Sequence, residues 1–376
     1  MRTDLPPPDA DAAAHSARVS AHVAAAIGAA GGFIGFDRYM ELALYAPGLG
    51  YYAAGARKFG PQGDFVTAPE ISPLFARALA AQVAQAFEFT APAIVEFGAG
   101  SGALARDLLV SLAERGVAVE RYAIVEVSAD LRARQQALLA GHPVTWLDAP
   151  PVDFDGVIIA NEVLDVLPVR LFVKRGRRVV ERGVAACAGA LVFAERAPDD
   201  ELRQAVAEIE ATVGTLPDGY GSEIGFIARA WMRSAAQWLA RGLLLAIDYG
   251  FPRREYYHPQ RIMGTLMCHY RHRSHADPLW LPGLNDITAH VDFSALAQAA
   301  HAVGLEVLGY APQSHFLLNC GLLDLLAAER TVARTAEAQR LLSEAEMGEL
   351  FKVLAVGRGI DAPLVGFARG DRRHRL

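Results

Sequence analysis

The sequence predicts a doubly wound α/β fold, and three observations predict it. Short apolar runs alternate with helical stretches of about 10–15 residues, the signature of a parallel sheet. A glycine-rich turn, Gly98-Ala99-Gly100-Ser101-Gly102, stands between one such run and the helix that follows it. A polar pair, Asn161-Glu162, directly follows another run, where open α/β sheets place residues that face a ligand.

Taken in order, residues 15–30 are alanine-rich and helical, stopped by Gly31-Gly32, and 36–44 form a second short helix. Glycine, proline and aromatic residues crowd 45–73, which reads as an ordered loop. Ser72-Pro73 opens a helix to residue 89, with proline in its first turn. Strands are expected at 93–97, 122–127, 144–147 and 156–160, with helices at 103–115 and 130–139. After Pro168 the pattern changes to short antiparallel strands at 169–173, 178–182 and 190–193. A helix at 226–240 then leads into a buried strand at 243–247. No periodicity survives over 251–290, which reads as a cover over an active site. A helix at 293–303 and strands at 305–310 and 351–356 close the pattern. The organisation expected is a leader and N-terminal helix (1–35), an N-terminal cap (36–92), a cofactor-binding domain (93–357) with insertions at about 169–225 and 251–292, and a tail (358–376).

At 376 residues the chain exceeds what one core of about 250–300 residues holds, so one principal domain with sizeable additions is expected. A net charge of −6 offers no basic face for a nucleic-acid backbone, so no nucleic-acid partner is expected. Cys187, Cys268 and Cys320 lack the spacing of a disulfide framework or a zinc set, which points to a reducing, cytoplasmic compartment. No apolar run approaches the ~20 residues of a membrane span. Asp4, Asp9 and Asp11 among prolines and alanines suit a disordered leader better than a signal or transit peptide. The basic tail Arg369-Gly-Asp-Arg-Arg-His-Arg375 reads as solvated and is assigned no role.

In the strand–turn–helix context, Gly98, Ala99, Gly100 and Gly102 let the backbone approach a nucleotide-like ligand, while the helix N-terminus offers unpaired N–H groups. The same residues satisfy the dinucleotide pattern GxGxxA, so a nicotinamide-dependent oxidoreductase is a competing reading. Glu96 favours a cationic ligand over a pyrophosphate, and S-adenosylmethionine carries both a sulfonium and an ammonium. Glu126, after the second strand, is placed to accept hydrogen bonds from both ribose hydroxyls, which serves either cofactor. Asp148 could receive the adenine amino group or be an ordinary loop acid. Asn161, Glu162 and Asp165 stand where a methyl acceptor would be held; the plainer reading is a helix cap by Asn161 with Glu162 as a first-turn acid. Asp64, Thr67, Glu70 and Ser72 form a polar set in the ordered loop, Thr67 being counted among the cofactor contacts. His290, between Asp286 and Asp292, is a candidate proton acceptor or a structural histidine. His269, His272 and His275 sit in an arginine-rich stretch without cysteines or an HExxH pattern, and no metal is expected.

With these segments in hand the chain resembles the MidA-type family of S-adenosylmethionine-dependent methyltransferases, whose mitochondrial members are complex I assembly factors that methylate a protein arginine. The resemblance rests on Tyr45-Ala-Pro-Gly-Leu-Gly-Tyr-Tyr52, Gly63-Asp-Phe-Val-Thr-Ala-Pro-Glu-Ile-Ser72, Glu96 to Gly102, and Asn161-Glu162 with Asp165 and Pro168. Ile247-Asp-Tyr-Gly250, Gly264-Thr-Leu266, Asp286-Ile-Thr-Ala-His-Val-Asp-Phe293 and Gln313-Ser-His-Phe-Leu317 extend it. Ser101 and Val163-Leu164 depart from the family pattern. The resemblance implies a seven-stranded class I, Rossmann-like methyltransferase core, S-adenosyl-L-methionine as cofactor, and a protein substrate such as a respiratory-complex subunit. It places 63–72 and 286–293 at the border of the active site. A third function class is a non-catalytic assembly chaperone on the same fold; the Glu96, Glu126 and Asn161-Glu162 set argues against it, because a scaffold has no need of them.

Overall fold

Val157-Ile158-Ile159-Ala160 and Leu243-Leu244-Leu245-Ala246-Ile247 are apolar at every position, as a parallel strand covered on both faces requires. In the computed structural model, which describes residues 5–54 and 67–376, these runs are the two central strands of a sheet. The chain divides into two compact units, one of residues 66–164, 229–251 and 293–376, the other of 1–65, 165–228 and 252–292.

The first unit is built on β1 (Ala93–Phe97), β2 (Arg121–Val125), β3 (Val144–Leu147), β4 (Phe154–Asn161), β5 (Leu239–Phe251), β6 (Glu306–Pro312) and β7 (Phe351–Arg358). They lie in the order β3-β2-β1-β4-β5-β7-β6. The pairs from β3 to β5 are parallel, and β7 runs antiparallel to both β5 and β6. The seven-stranded Rossmann-like core expected from the family resemblance is therefore present. Strand order reverses between β1 and β4, and the carboxyl ends of strands at such a switch point are where ligands bind.

Alternate residues cover the two faces. Ile94, Tyr122, Val157, Ile159, Leu243, Leu245, Val353 and Ala355 join one core with the helices Pro73–Ala86 and Ala103–Glu114. The neighbours Val95, Ile158, Leu244, Ala246 and Leu354 are buried too, and helix Phe293–His301 packs along β5, β6 and β7. Central strands approach closely at Gly156 and Gly242, both with positive φ; a Cβ on Gly242 would lie 1.9 Å from the Gly156 carbonyl oxygen. Three helices the periodicity did not reveal, Gln313–Asn319, Leu322–Ala328 and Val332–Leu342, complete the unit. The basic tail, expected to be solvated, folds back: Arg372 pairs with Glu349 at 2.6 Å, Arg373 pairs with Asp371 at 2.7 Å, and Phe367 is buried.

In the second unit, the helix Ala10–Ala29 begins earlier than expected, because Asp9 accepts the Ala12 N–H at 2.9 Å as N-cap. Ser16, Val19, Val23 and Ile27 form its buried stripe, so Asp11, expected in a disordered leader, lies in the first turn of a helix. An antiparallel sheet pairs Arg178–Cys187 with Ile34–Gly35, Arg170–Arg175 and Ala190–Arg196, and Arg170–Arg175 with Gly221–Ile224. The helix Asp200–Val213 carries Leu202, Ala205, Val206 and Ile209 on one buried face behind an Asp199 N-cap. Residues 251–290, expected to lack regular elements, contain the helix Arg253–Tyr256 and a three-stranded sheet of Met267–Tyr270, Arg273–His275 and Asp286–Thr288. Among the described residues no helix is long and apolar enough to cross a membrane.

Candidate active site

Gly98, Gly100 and Gly102 have φ of 58°, 54° and 88°, a region that L side chains adopt only under strain. This succession turns the chain out of β1 and into helix Ala103–Glu114, whose N-cap is Gly102. The Gly98 N–H donates to the Val125 carbonyl at 3.0 Å, tying the loop to β2. A Cβ on Gly98 would come within 3.1 Å of Val163, so the loop lies directly against the turn after β4. A turn with glycine at three of its five positions, leading into a helix N-terminus, fits a nucleoside-bearing ligand.

Glu96 sits in β1 two residues before the loop, 2% exposed, and accepts the Tyr122 hydroxyl at 2.6 Å. Burial pushes its carboxyl up to about 7 from 4.5; the Tyr122 hydrogen bond opposes this and the nearby Glu126 charge adds to it. Because the folded-state value is raised, the stability this group contributes is full below about pH 4.5 and is lost as pH rises through about 7. Glu96→Gln, which mimics the neutral acid, is therefore expected to melt a few degrees above the parent at about pH 8, the gap closing towards about pH 4.5. It is also expected to bind the cationic cofactor more weakly. Equal melting of the two proteins across that range would show that Glu96 stays ionised in the fold.

Glu126 follows β2. Its Oε1 accepts the Ser128 N–H at 2.9 Å and its Oε2 accepts the Gln135 amide at 2.9 Å, so the carboxylate is held from both sides. A carboxylate so oriented suits a ribose diol, whose hydroxyls donate to it. Glu126→Ala is expected to cost about 1–3 kcal/mol of cofactor affinity, read by calorimetry. Unchanged affinity in a folded variant would take the ribose away from this residue. Asp148, just past β3, is exposed and pairs with Arg132 at 2.6 Å. Thr67 is the N-cap of the short helix Ala68–Ile71, and its carbonyl accepts the Glu70 N–H at 3.0 Å. Ser72 caps the next helix and bonds Glu337 at 2.7 Å, a structural duty. Gly63 and Asp64 lie outside the described residues.

Asn161 ends β4, in register with Ile247 of β5. Glu162 follows with a φ of 53°, a left-handed backbone on a non-glycine residue. Such strain persists only where the surroundings impose it, and it concentrates at functional sites. Two hydrogen bonds impose it here: the Glu162 N–H donates to the Ile247 carbonyl, and the Leu164 N–H donates to the Asp248 carboxylate, each at 2.9 Å. The Glu162 Oε1 accepts from the Asn161 amide at 3.2 Å and, at a long 3.4 Å, from the Ala68 N–H. Residues 162–167 are turns and bends. The helix cap weighed for Asn161 is therefore not formed, nor is a helical stacking of Asp165 on Glu162.

Asp165 and His290 belong to the other unit. Asp165 is 4% exposed and its carbonyl accepts the Ala289 N–H at 2.9 Å. Asp286 accepts the Tyr52 hydroxyl at 2.8 Å, and Asp292 pairs with Arg253 at 3.2 Å. The His290 backbone N–H donates to the Thr265 hydroxyl at 2.9 Å. Thr265 in turn donates to Glu223, a wholly buried acid whose carboxyl burial pushes up and which also accepts the Tyr256 hydroxyl at 3.0 Å. His275 bonds Asn285 at 3.1 Å and meets Trp280 edge-on. Gln135 and Glu223 were not singled out from the sequence, because a lone acid or amide carries no spacing signal, and Asp248 entered only within Ile247-Asp-Tyr-Gly250, without a role.

The unit that carries the core thus brings together the glycine loop, Glu126, Thr67 and Asn161-Glu162. Comparison with known proteins agrees with this geometry. Residues 76–311 match a family model described as "Putative S-adenosyl-L-methionine-dependent methyltransferase". A Burkholderia thailandensis protein solved with S-adenosyl-homocysteine bound, described as a candidate methyl transferase, is 50% identical, with a TM-score of 0.93 over 99% of this chain and 100% of that one. The mouse mitochondrial protein arginine methyltransferase NDUFAF7 is 30% identical over 85% of this chain and 79% of its own, and the human protein 29% over 76% and 69%. The cofactor is therefore S-adenosylmethionine, and the chain belongs to the MidA-type family of S-adenosylmethionine-dependent methyltransferases.

Proposed function

We propose that the protein methylates an arginine side chain of another protein. S-adenosylmethionine, when bound, supplies a methyl group made electrophilic by the sulfonium. Glu162 carries the reading: it is a carboxylate held in a strained turn against the glycine loop, at the switch point of the sheet. An arginine stays protonated at any working pH, with a pKa above about 12, and its charge is spread over the guanidinium fork. A carboxylate that accepts hydrogen bonds from the nitrogens remote from the methyl group draws positive charge towards them. Electron density is thereby left on the attacking nitrogen, which is also held in line. Asn161, bonded to Glu162 Oε1, fixes the edge that the carboxylate presents. Asp165 as a second acid and His290 as a proton acceptor are proposed from the sequence pattern. The names of the mouse and human relatives support a protein arginine as acceptor.

The test is a lysate from which the endogenous protein has been removed, given labelled S-adenosylmethionine with and without the purified enzyme. Label that depends on the enzyme and hydrolyses to methylarginine is expected. Label confined to small molecules, or recovered as another methylated residue, would overturn the acceptor.

A further inference from the structure

Gln135 lies on the helix Ala129–Leu138 and is completely buried. A buried primary amide is costly unless its two donors and its carbonyl oxygen are all used. Here all are. The Nε2 donates to the Gly100 carbonyl at 3.0 Å and to Glu126 Oε2 at 2.9 Å, and the Oε1 accepts the Trp146 indole N–H at 2.9 Å. The three partners stand on three successive parts of the sheet: the loop after β1, the end of β2, and β3. The packing is direct as well, since a Cβ on Gly102 would lie 3.5 Å from Gln135 Cγ. Gly100 contributes its carbonyl from a left-handed turn, a conformation with many alternatives in a glycine-rich loop.

We infer that Gln135 is a positioning residue of the cofactor site: one amide locks the central carbonyl of the glycine loop to the carboxylate that receives the ribose. The inference rests on the ribose role of Glu126. With Ser128 N–H on Oε1 and Gln135 on Oε2, the Glu126 carboxylate is held at both oxygens and cannot rotate. The indole of Trp146 fixes which way the amide faces, because only the carbonyl oxygen can accept from it. An amide placed merely to satisfy a helix packed on a sheet would show no such dependence on the ligand. Leu or Glu in its place removes the donors, and Glu sets a second carboxylate against Glu126.

Full-length parent, Gln135→Glu, Gln135→Leu, Trp146→Phe, Glu126→Ala and the double variant Gln135→Leu/Glu126→Ala are titrated with S-adenosyl-homocysteine by calorimetry and melted without ligand. Gln135→Leu and Gln135→Glu are expected to weaken binding about 10- to 100-fold, and Trp146→Phe by less than about tenfold, because both amide donors survive. In the double variant the effect of Gln135→Leu should shrink, since its partner carboxylate is gone and only the contact to the Gly100 carbonyl is left to lose. The emission difference between the parent and Trp146→Phe should change on saturation with S-adenosyl-homocysteine, and the same difference between Gln135→Leu and an added Gln135→Leu/Trp146→Phe double variant should not. Full affinity in folded Gln135→Leu, or a Gln135→Leu effect of the same size with and without Glu126, would overturn the inference. Full affinity in Glu126→Ala would instead remove the ribose reading on which it stands. If Gln135→Leu fails to melt cooperatively it is replaced by Gln135→Asn, which keeps the donors one methylene short and is expected to bind more weakly than the parent; binding equal to the parent would count against the inference.

Discussion

Glu162→Gln is expected to lower methyl transfer by at least ~10²-fold while leaving S-adenosylmethionine affinity within about threefold. That is the range lost when one preorganised electrostatic contact is removed. The substitution keeps the shape, the strained backbone and the hydrogen bond from Asn161, and removes only the charge that would face the guanidinium. A companion variant separates charge from strain. Glutamate at a φ of 53° carries a penalty of about 1–2 kcal/mol that glycine does not. Glu162→Gly is thus expected to be inactive yet no less stable than the parent, and more stable if the flexibility glycine adds to the unfolded chain does not offset the relief. Normal turnover by Glu162→Gln would remove this residue from the mechanism. Loss of cofactor binding with no further defect would recast it as a donor contact.

Gly100→Val is expected to abolish detectable cofactor binding, a loss of more than ~10³-fold. The φ of 54° at this position suits a glycine, and a β-branched residue is the least able to adopt it. The backbone cannot simply relax, because the Gly100 carbonyl is held by a buried amide and Gly98 by the β2 backbone. The strain is local, and the sheet core beneath is built from residues of β1, β4 and β5 that the substitution does not touch. The variant should therefore melt cooperatively and a few degrees lower. Near-normal affinity would place the cofactor elsewhere on the molecule.

The elements that were legible in the sequence are those whose pattern is self-contained. β1, β4 and β5 announce themselves as apolar runs because both faces are covered, and the Gly98–Gly102 turn because three positive-φ residues leave glycine as the cheap choice. Asn161-Glu162 was legible by position alone, as polar residues at the carboxyl end of a buried strand. The helix Asp200–Val213 was equally legible, with its Asp199 cap and i, i+3, i+4, i+7 stripe, but it was masked by the run of β-hairpins before it. The three-stranded sheet in 267–288 was not, since its strands are short, and its Tyr270-Arg271-His272-Arg273 turn uses Arg271 and His272 at positive φ where a hairpin signal would be Asn-Gly. In the site, the groups that act through others carry no role legible in the sequence. Asp248 looks like a lone acid closing an apolar strand, yet it fixes the turn of Glu162; Gln135 looks like a polar surface residue of a weakly amphipathic helix, yet it is buried.

If the glycine loop, Glu126 and Glu96 form one site for a cationic nucleoside, S-adenosylmethionine binds there and a nicotinamide cofactor does not. Calorimetry of the full chain with S-adenosylmethionine, S-adenosyl-homocysteine, NAD and NADP in separate titrations tests this most directly. Saturable binding of the first two at one site per chain, and none of the nicotinamide cofactors, is expected. Binding of a nicotinamide cofactor alone would contradict it.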